Sequence, residues 1–279
     1  MFELPSYIAT RYVQPLREGG SLPAVLDTDG GGLFVTKFRG AGQGAKALIA
    51  ELIVGTLARA AELPTPDLAL IAVPSSFGRS EPDPEIQDLL RASHGMNVGL
   101  RYLDGAFNFD PVAAGDLISP ELAARIVWLD AFVTNPDRTH RNSNLLVWNR
   151  QPWLIDHGAA LYAHHDWPSV DDTRTHTPFP FIRDHVLLAR SADLESADAS
   201  LTRTFASSNV IREAVAVVPD ALLDDPAVLP DFATPQAARE RYVSYLEQRL
   251  NGPHLFLAEA VAARERALSA APRRVSARR

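Results

Sequence analysis

Residues 135–144 read NPDRTHRNSN: one aspartate, one histidine, two arginines and three asparagines in ten positions. The run lies between two apolar stretches, ELAARIVWLDAFV (121–133) and LLVW (145–148). A surface turn between a helix and a strand needs only a few polar residues, so this stretch is chemically richer than a turn requires. Asp137 is followed five residues later by Asn142, and a second aspartate, Asp156, ends the next apolar segment in IDHG (155–158). Carboxylate and amide oxygens suit a hard cation such as Mg²⁺, which keeps company with phosphates. One aspartate at an attacking hydroxyl, with an asparagine and a later aspartate on metal, are the parts of a phosphoryl-transfer site.

Such a site also needs a cation for the phosphates. Lys37 ends a strand-like run, LFVTKF (33–38), and Glu51 lies in the helical segment that follows, where it can hold the lysine in place. Between the first two strand-like runs sits Glu18-Gly19-Gly20-Ser21. Its two glycines let backbone N–H groups approach phosphate oxygens, and the Ser21 hydroxyl adds a donor.

The bulk composition is compatible with this chemistry. The chain has 279 residues, 46% of them hydrophobic, enough for a sizeable core. Its formal net charge of −7 argues against a general nucleic-acid binder, and zero cysteines exclude disulfides and thiolate metal sites. The first residues lack the pattern of a signal peptide and no apolar run reaches membrane-span length, so a soluble, cytoplasmic protein is expected, without membrane or direct nucleic-acid partners. The basic end, APRRVSARR, reads as a frayed tail.

The first third alternates strand-like runs with turns: YVQPL (12–16), AVLDT (24–28), LFVTKF, LALIAV (68–73) and NVGLRYL (97–103). Asp29-Gly30-Gly31-Gly32 reads as a hairpin break, and residues 43–62 as a helix with one apolar stripe. Residues 75–87 read as a loop or short helix. Ser119-Pro120-Glu121 is a strong helix start. LLVW and PWLID (152–156) are placed to pair around Asn149-Arg150, and from about Phe181 onward the patterns are helical. Gly40-Ala41-Gly42-Gln43-Gly44-Ala45 imitates a dinucleotide fingerprint, but no alternating strand–helix units follow, so it reads as a flexible entry to the Glu51 helix.

Taken together, Gly19, Gly20, Ser21, Lys37, Glu51, Asp137, Asn142 and Asp156, with the runs LIDHGAALY (154–162) and IRDHVLL (182–188), resemble the bacterial HipA-like kinase family over nearly the whole chain. The NPDR…N run is also similar, more distantly, to the catalytic loop of phosphatidylinositol kinases. The resemblance implies an α+β, two-lobed protein-kinase-like fold: a small antiparallel-sheet N-lobe over 1–105, a mainly helical C-lobe over 106–270 and a tail over 271–279. It implies an ATP- and Mg²⁺-dependent transferase that moves the γ-phosphate to a hydroxyl, such as that of a protein serine or threonine. Gly19, Gly20, Ser21, Lys37 and Glu51 would serve the nucleotide, Asn142 and Asp156 the metal, and Asp137 the acceptor hydroxyl, with adenine against backbone near residues 101–105. Toxin members of the family carry an extra N-terminal subdomain not evident here, so toxin action and a DNA-binding antitoxin partner do not carry over.

His157 stands where the usual Asp-Phe-Gly triplet has its aromatic, and the glycine loop has two glycines only. The residues leave open an ATP-binding pseudokinase, a small-molecule phosphotransferase and nucleotidyl transfer. They leave open whether Arg138 meets a carboxylate or a phosphate. His140 is expected to pack beneath Asp137 rather than to orient it, and Asn144 to brace the loop or replace Asn142 on the metal. His164 and His165 match no zinc pattern.

Overall fold

The computed structural model describes residues 2–16, 22–42, 44–79, 81–207 and 209–269. Five strands come from the first hundred residues: β1 (Ser6–Pro15), β2 (Ala24–Thr28), β3 (Gly32–Lys37), β4 (Leu68–Val73) and β5 (Gly95–Arg101). Between them lie α1 (Gly44–Ala60) and α2 (Pro84–Ala92). The neighbour order is β1-β2-β3-β5-β4. The β1–β2, β2–β3, β3–β5 and β4–β5 pairs are antiparallel, but Ser6–Ile8 run parallel to Leu70–Ala72. The expectation of a purely antiparallel sheet is corrected at this pair. β1 starts six residues before the strand-like run read at 12–16, and those extra residues are polar enough to hide the strand in a hydropathy pattern.

The β2–β3 turn is the expected hairpin. Thr28 Oγ1 donates to Gly32 O at 2.9 Å and accepts from Gly31 N at 3.1 Å, and Gly32 sits at φ +76°. Phe34, Thr36 and Phe38 are buried on one face, as the alternation predicts. With Leu26, Ile71, Val73 and Leu90 the two phenylalanines form a small core. Leu90 belongs to α2, whose start is capped by Asp83 accepting from Glu85 N at 2.9 Å.

The rest of the chain is mostly helical. A short sheet of β6 (Phe107–Asn108), β7 (Leu145–Trp148) and β8 (Gln151–Leu154) has the order β6-β7-β8, and its β7–β8 turn places Asn149 and Arg150 at φ +49° and +61°. That left-handed pair matches the twist of a two-residue hairpin. The helices are α3 (Pro120–Phe132), one-turn α4 (Asp172–Thr175), α5 (Leu194–Ala206), α6 (Val210–Ala216), α7 (Asp220–Leu223), α8 (Pro235–Asn251) and α9 (Leu255–Ser269). None among the described residues is long and apolar enough to cross a membrane.

α3 starts as expected, with Ser119 Oγ accepting from Leu122 N at 3.1 Å. Its far end is closed by the buried Arg249 of α8, which donates to Phe132 O at 2.9 Å and Ala131 O at 3.3 Å. The guanidinium thereby supplies donors to carbonyls at the helix end, where intrahelical partners run out. Trp128 stacks on Phe132 with centroids 5.1 Å apart, and Phe205 and Phe256 pack around the pair. This cluster fixes the point at which α3 releases the chain into residues 134–144.

α1 departs from expectation. Instead of one apolar stripe it is buried continuously from Leu48 to Ala58. It packs on β4 and β5 and also on α6 and α7, so apolar residues are needed all round. A Cβ on Gly55 would lie 2.8 Å from Leu68 Cδ1, which shows how closely the helix crosses β4. Arg39–Asp225 (2.5 Å) and Lys46–Asp231 (3.5 Å) add ion pairs beside its N-terminal end.

At the start of α9, His254 Nδ1 lies 2.8 Å from Asp198 Oδ1, which also accepts from Trp128 Nε1 at 2.6 Å. The bond to Asp198 raises the His254 pKa above its usual 6.5, against the effect of burial. A raised folded value means that the bond's stabilisation is fully present below pH 6.5 and is lost as pH rises through the folded pKa. Thermal melts of wild type and His254→Ala from about pH 5 to about pH 9 are therefore expected to differ most at the acid end and to converge at the alkaline end. A constant gap would show that the pair does not titrate.

Candidate active site

Lys37 is the last residue of β3 and pairs with Val98 of β5, so its side chain leaves a rigid strand. Its Nζ donates to Glu51 Oε2 and to Asp156 Oδ1, both at 2.6 Å. Burial alone would lower the lysine pKa, but the two carboxylates outweigh it and the value is raised. Asp156 shows the complementary result: burial would raise its pKa, yet the Lys37 charge holds it below the usual carboxylate range. Glu51 is fully buried in the middle of α1, and its Oε2 also accepts from His157 N at 2.8 Å. One carboxylate oxygen thus holds both the lysine and the backbone beside Asp156.

Asp156 stands just past the end of β8 in a left-handed conformation, φ +56°. For a residue with a Cβ this costs about 1 kcal/mol, and such departures concentrate at working sites. His157 is buried, and desolvation pushes its pKa down to about 4, so its ring is neutral near pH 7.

The second group of side chains belongs to the 135–144 loop. Asp137 Oδ2 accepts from Asn142 Nδ2 at 2.9 Å and from Asn144 Nδ2 at 3.0 Å. Asp137 N donates to Asn135 Oδ1 at 3.2 Å. Thr139 N donates to Asn142 O at 2.8 Å, and Thr139 Oγ1 accepts from the N–H groups of Arg141 and Asn142, each at 3.3 Å. The loop therefore bonds largely to itself. Asn142 spends its amide nitrogen on Asp137, so Oδ1 is the side-chain atom it keeps for another partner. The two groups join through the backbone: Ile155 N donates to Asn144 O at 3.1 Å, one residue before Asp156.

A profile of the HipA-like kinases matches residues 10–217, well over half of the chain. The chain belongs to the HipA-like kinase family. It is by that membership a kinase-type phosphotransferase. Among solved structures it is similar to the Helicobacter pylori proinflammatory kinase CtkA, with a TM-score of 0.50 and 11% identity over 92% of this chain and 99% of that one. At that identity the likeness is one of fold. No curated protein matches the sequence.

In this HipA-like kinase, Lys37, Glu51 and Asp156 form one bonded group, and Asp137, Asn142 and Asn144 form another. Gly19, Gly20 and Ser21 lie outside the described residues. Asn144 is buried and braces Asp137. His140 is exposed, so the expected packing role beneath Asp137 is not what the structure shows. Arg138 is 1% exposed and meets a carboxylate, Asp130, at 2.6 Å, which answers the question its sequence position raised. His164 is buried and lies 3.1 Å from the Tyr242 hydroxyl through Nδ1.

Sequence reading gave no role to three residues that bond to the loop's arginine and asparagine or to their shared carboxylate: Asp130, Asn135 and His185. Asp130 Oδ1 accepts from Asn135 Nδ2 at 2.9 Å, and its Oδ2 meets Arg138 at 2.6 Å and His185 at 3.0 Å. A signal was present. Asp130 is the lone charge in the apolar run IVWLDAFV, and an isolated carboxylate in a buried helix needs a partner.

Proposed function

We propose that the chain is an ATP- and Mg²⁺-dependent kinase that transfers the γ-phosphate to a hydroxyl, with a protein serine or threonine as the acceptor class. The observation that carries the reading is Lys37 Nζ bonded at once to Glu51 and Asp156, residues brought from a strand, a helix and a distant hairpin to one point. In this reading the strand-rich and helical parts are the two lobes of a kinase-like fold, and ATP lies between them. Residues 101–105, from the end of β5 into its link to β6, border adenine, and Lys37 faces the phosphates.

The donor set suits Mg²⁺. The Asp156 side chain is 40% exposed, and the oxygen not bonded to Lys37 is the one assigned to metal, together with Asn142 Oδ1. Among the described residues no three His, Cys, Asp or Glu side chains converge as a metal cage. Two protein oxygens completed by phosphate and water oxygens is the arrangement Mg²⁺ favours over a dedicated cage. When bound, the ion neutralises phosphate charge as it shifts toward the leaving group.

The chain's own groups then do the following. Two amides pin Asp137 through Oδ2, and its other oxygen orients the acceptor hydroxyl and takes its proton. The hydroxyl oxygen forms a bond to the γ-phosphorus as the bond to the β–γ bridging oxygen breaks, and ADP leaves. Lys37, which Glu51 keeps from swinging away, stabilises the charge on the phosphates.

Incubation with γ-labelled or α-labelled ATP plus Mg²⁺ tests the reading. Label is expected in the acceptor from the γ position and not from the α position. Transfer of α label would identify a nucleotidyltransferase, and ATP-induced thermal stabilisation without any transfer would identify a pseudokinase.

A further inference from the structure

Arg138 follows Asp137 in the chain, but its buried guanidinium serves the other half of the site. Nε donates to Asp130 Oδ2 at 2.6 Å, and one terminal nitrogen, Nη1, donates to Asn144 O and to Ile155 O. The other, Nη2, lies 3.4 Å from His157 Nδ1. Its acceptors therefore include the residues on both sides of Asp156, together with the backbone of Asn144, whose side chain braces Asp137. Asp130 completes a circuit. It holds Asn135, whose Oδ1 accepts the N–H of Asp137. It also accepts from His185, whose Nδ1 takes Leu187 N at 3.0 Å and so leaves the ring proton on Nε2, facing Asp130.

We infer that Arg138 is a positioning residue: it sets Asp156 in register with Asp137 through the circuit Asp137–Asn135–Asp130–Arg138, which closes on Ile155 and His157, the residues either side of Asp156. This rests on the function proposed above. Stability alone is a poor reason for the arrangement, because a buried ion pair is often matched or bettered by well-packed apolar residues of the same volume. What an apolar side chain cannot do is bind a carboxylate, two carbonyls and a ring nitrogen at fixed angles. The planar fork of arginine can, and the single ammonium of lysine cannot.

Arg138→Lys separates these roles, since it keeps the charge and loses the fork. Leu201→Ala, on the buried face of α5 and outside the circuit, serves as a destabilised control. Two quantities are measured on each full-length protein: kcat for γ-phosphate transfer, and the Mg²⁺ concentration giving half of the ATP-induced thermal shift. Arg138→Lys is expected to lower kcat about ten- to a hundredfold and to raise the Mg²⁺ requirement in the shift assay. Leu201→Ala is expected to lower the melting temperature while leaving both values unchanged per folded molecule.

Wild-type values for Arg138→Lys, or equal changes in the control, would overturn the inference. If Arg138→Lys does not fold, Asn135→Ala opens the circuit at its other end without stranding a buried charge. It is expected to lower kcat with the Mg²⁺ requirement unchanged, and an unchanged kcat overturns the inference. Should wild type bind ATP–Mg²⁺ without transferring phosphate, the kinase reading fails while the shift assay on Arg138→Lys still decides the positioning role. Should wild type neither bind nor transfer, both readings fail.

Discussion

Asp137→Ala is expected to reduce γ-phosphate transfer by about 10²- to 10⁴-fold while ATP–Mg²⁺ still raises the melting temperature. Among the described residues its side chain bonds within its own loop, to the amides of Asn142 and Asn144, and not to Lys37. On the proposed reading, losing it removes the group that orients the acceptor hydroxyl and leaves Lys37, held by Glu51 and Asp156, in place. Asp156→Ala should behave differently. Its carboxylate is bonded to Lys37 at 2.6 Å and is assigned to the metal, so both the rate and the Mg²⁺-dependent thermal shift should be lost. The contrast is the informative measurement: kcat alone would fall in both variants, whereas the shift should survive in one. If Asp137→Ala abolished nucleotide binding, or Asp156→Ala spared it, the assigned roles would be wrong.

The second large effect is on stability. Asp130→Ala should destabilise the fold by about 3–5 kcal/mol, the range for removing one partner of a buried pair. Asp130, Arg138 and His185 are all nearly or fully buried. Burial by itself would raise the Asp130 pKa, but the Arg138 charge and the His185 hydrogen bond outweigh it and hold the value far below the usual 3.8. The carboxylate is therefore ionised at any ordinary pH, and deleting it strands a guanidinium that has no water to turn to. For a chain of this size the melting temperature should fall on the order of 10 °C, read by calorimetry or circular dichroism. Replacing the exposed partner of a surface pair, such as Asp88 with Arg91, should by contrast change stability by less than about 1 kcal/mol.

A depressed folded pKa also fixes the sign of the pH dependence. The stabilisation from Asp130 is present above 3.8, its unfolded value, and is lost as pH falls through the folded value. The melting-temperature gap between wild type and Asp130→Ala should thus stay wide at neutral pH and narrow only in strong acid.

Much of the chain declares itself locally. The strand-like runs read at 24–28, 68–73 and 145–148 coincide with β2, β4 and β7, and the Ser119 cap opens α3 where the pattern places it. Period-two alternation, turn residues and caps depend on neighbours a few positions away, so they survive in a linear reading. Lys37, Glu51, Asp137, Asn142 and Asp156 are singled out by type and spacing, and the structure adds the bonds that join them in two groups. Matters settled by distant partners were not legible. The parallel β1–β4 pair, the all-round burial of α1 and the bond from Lys37 to Asp156 across 119 positions of sequence depend on which surfaces meet. Arg138 is the sharpest instance. A guanidinium beside a catalytic-type aspartate serves a phosphate or a carboxylate equally well by its chemistry. Only the arrival of Asp130 from a buried helix, with water excluded, makes the carboxylate its partner.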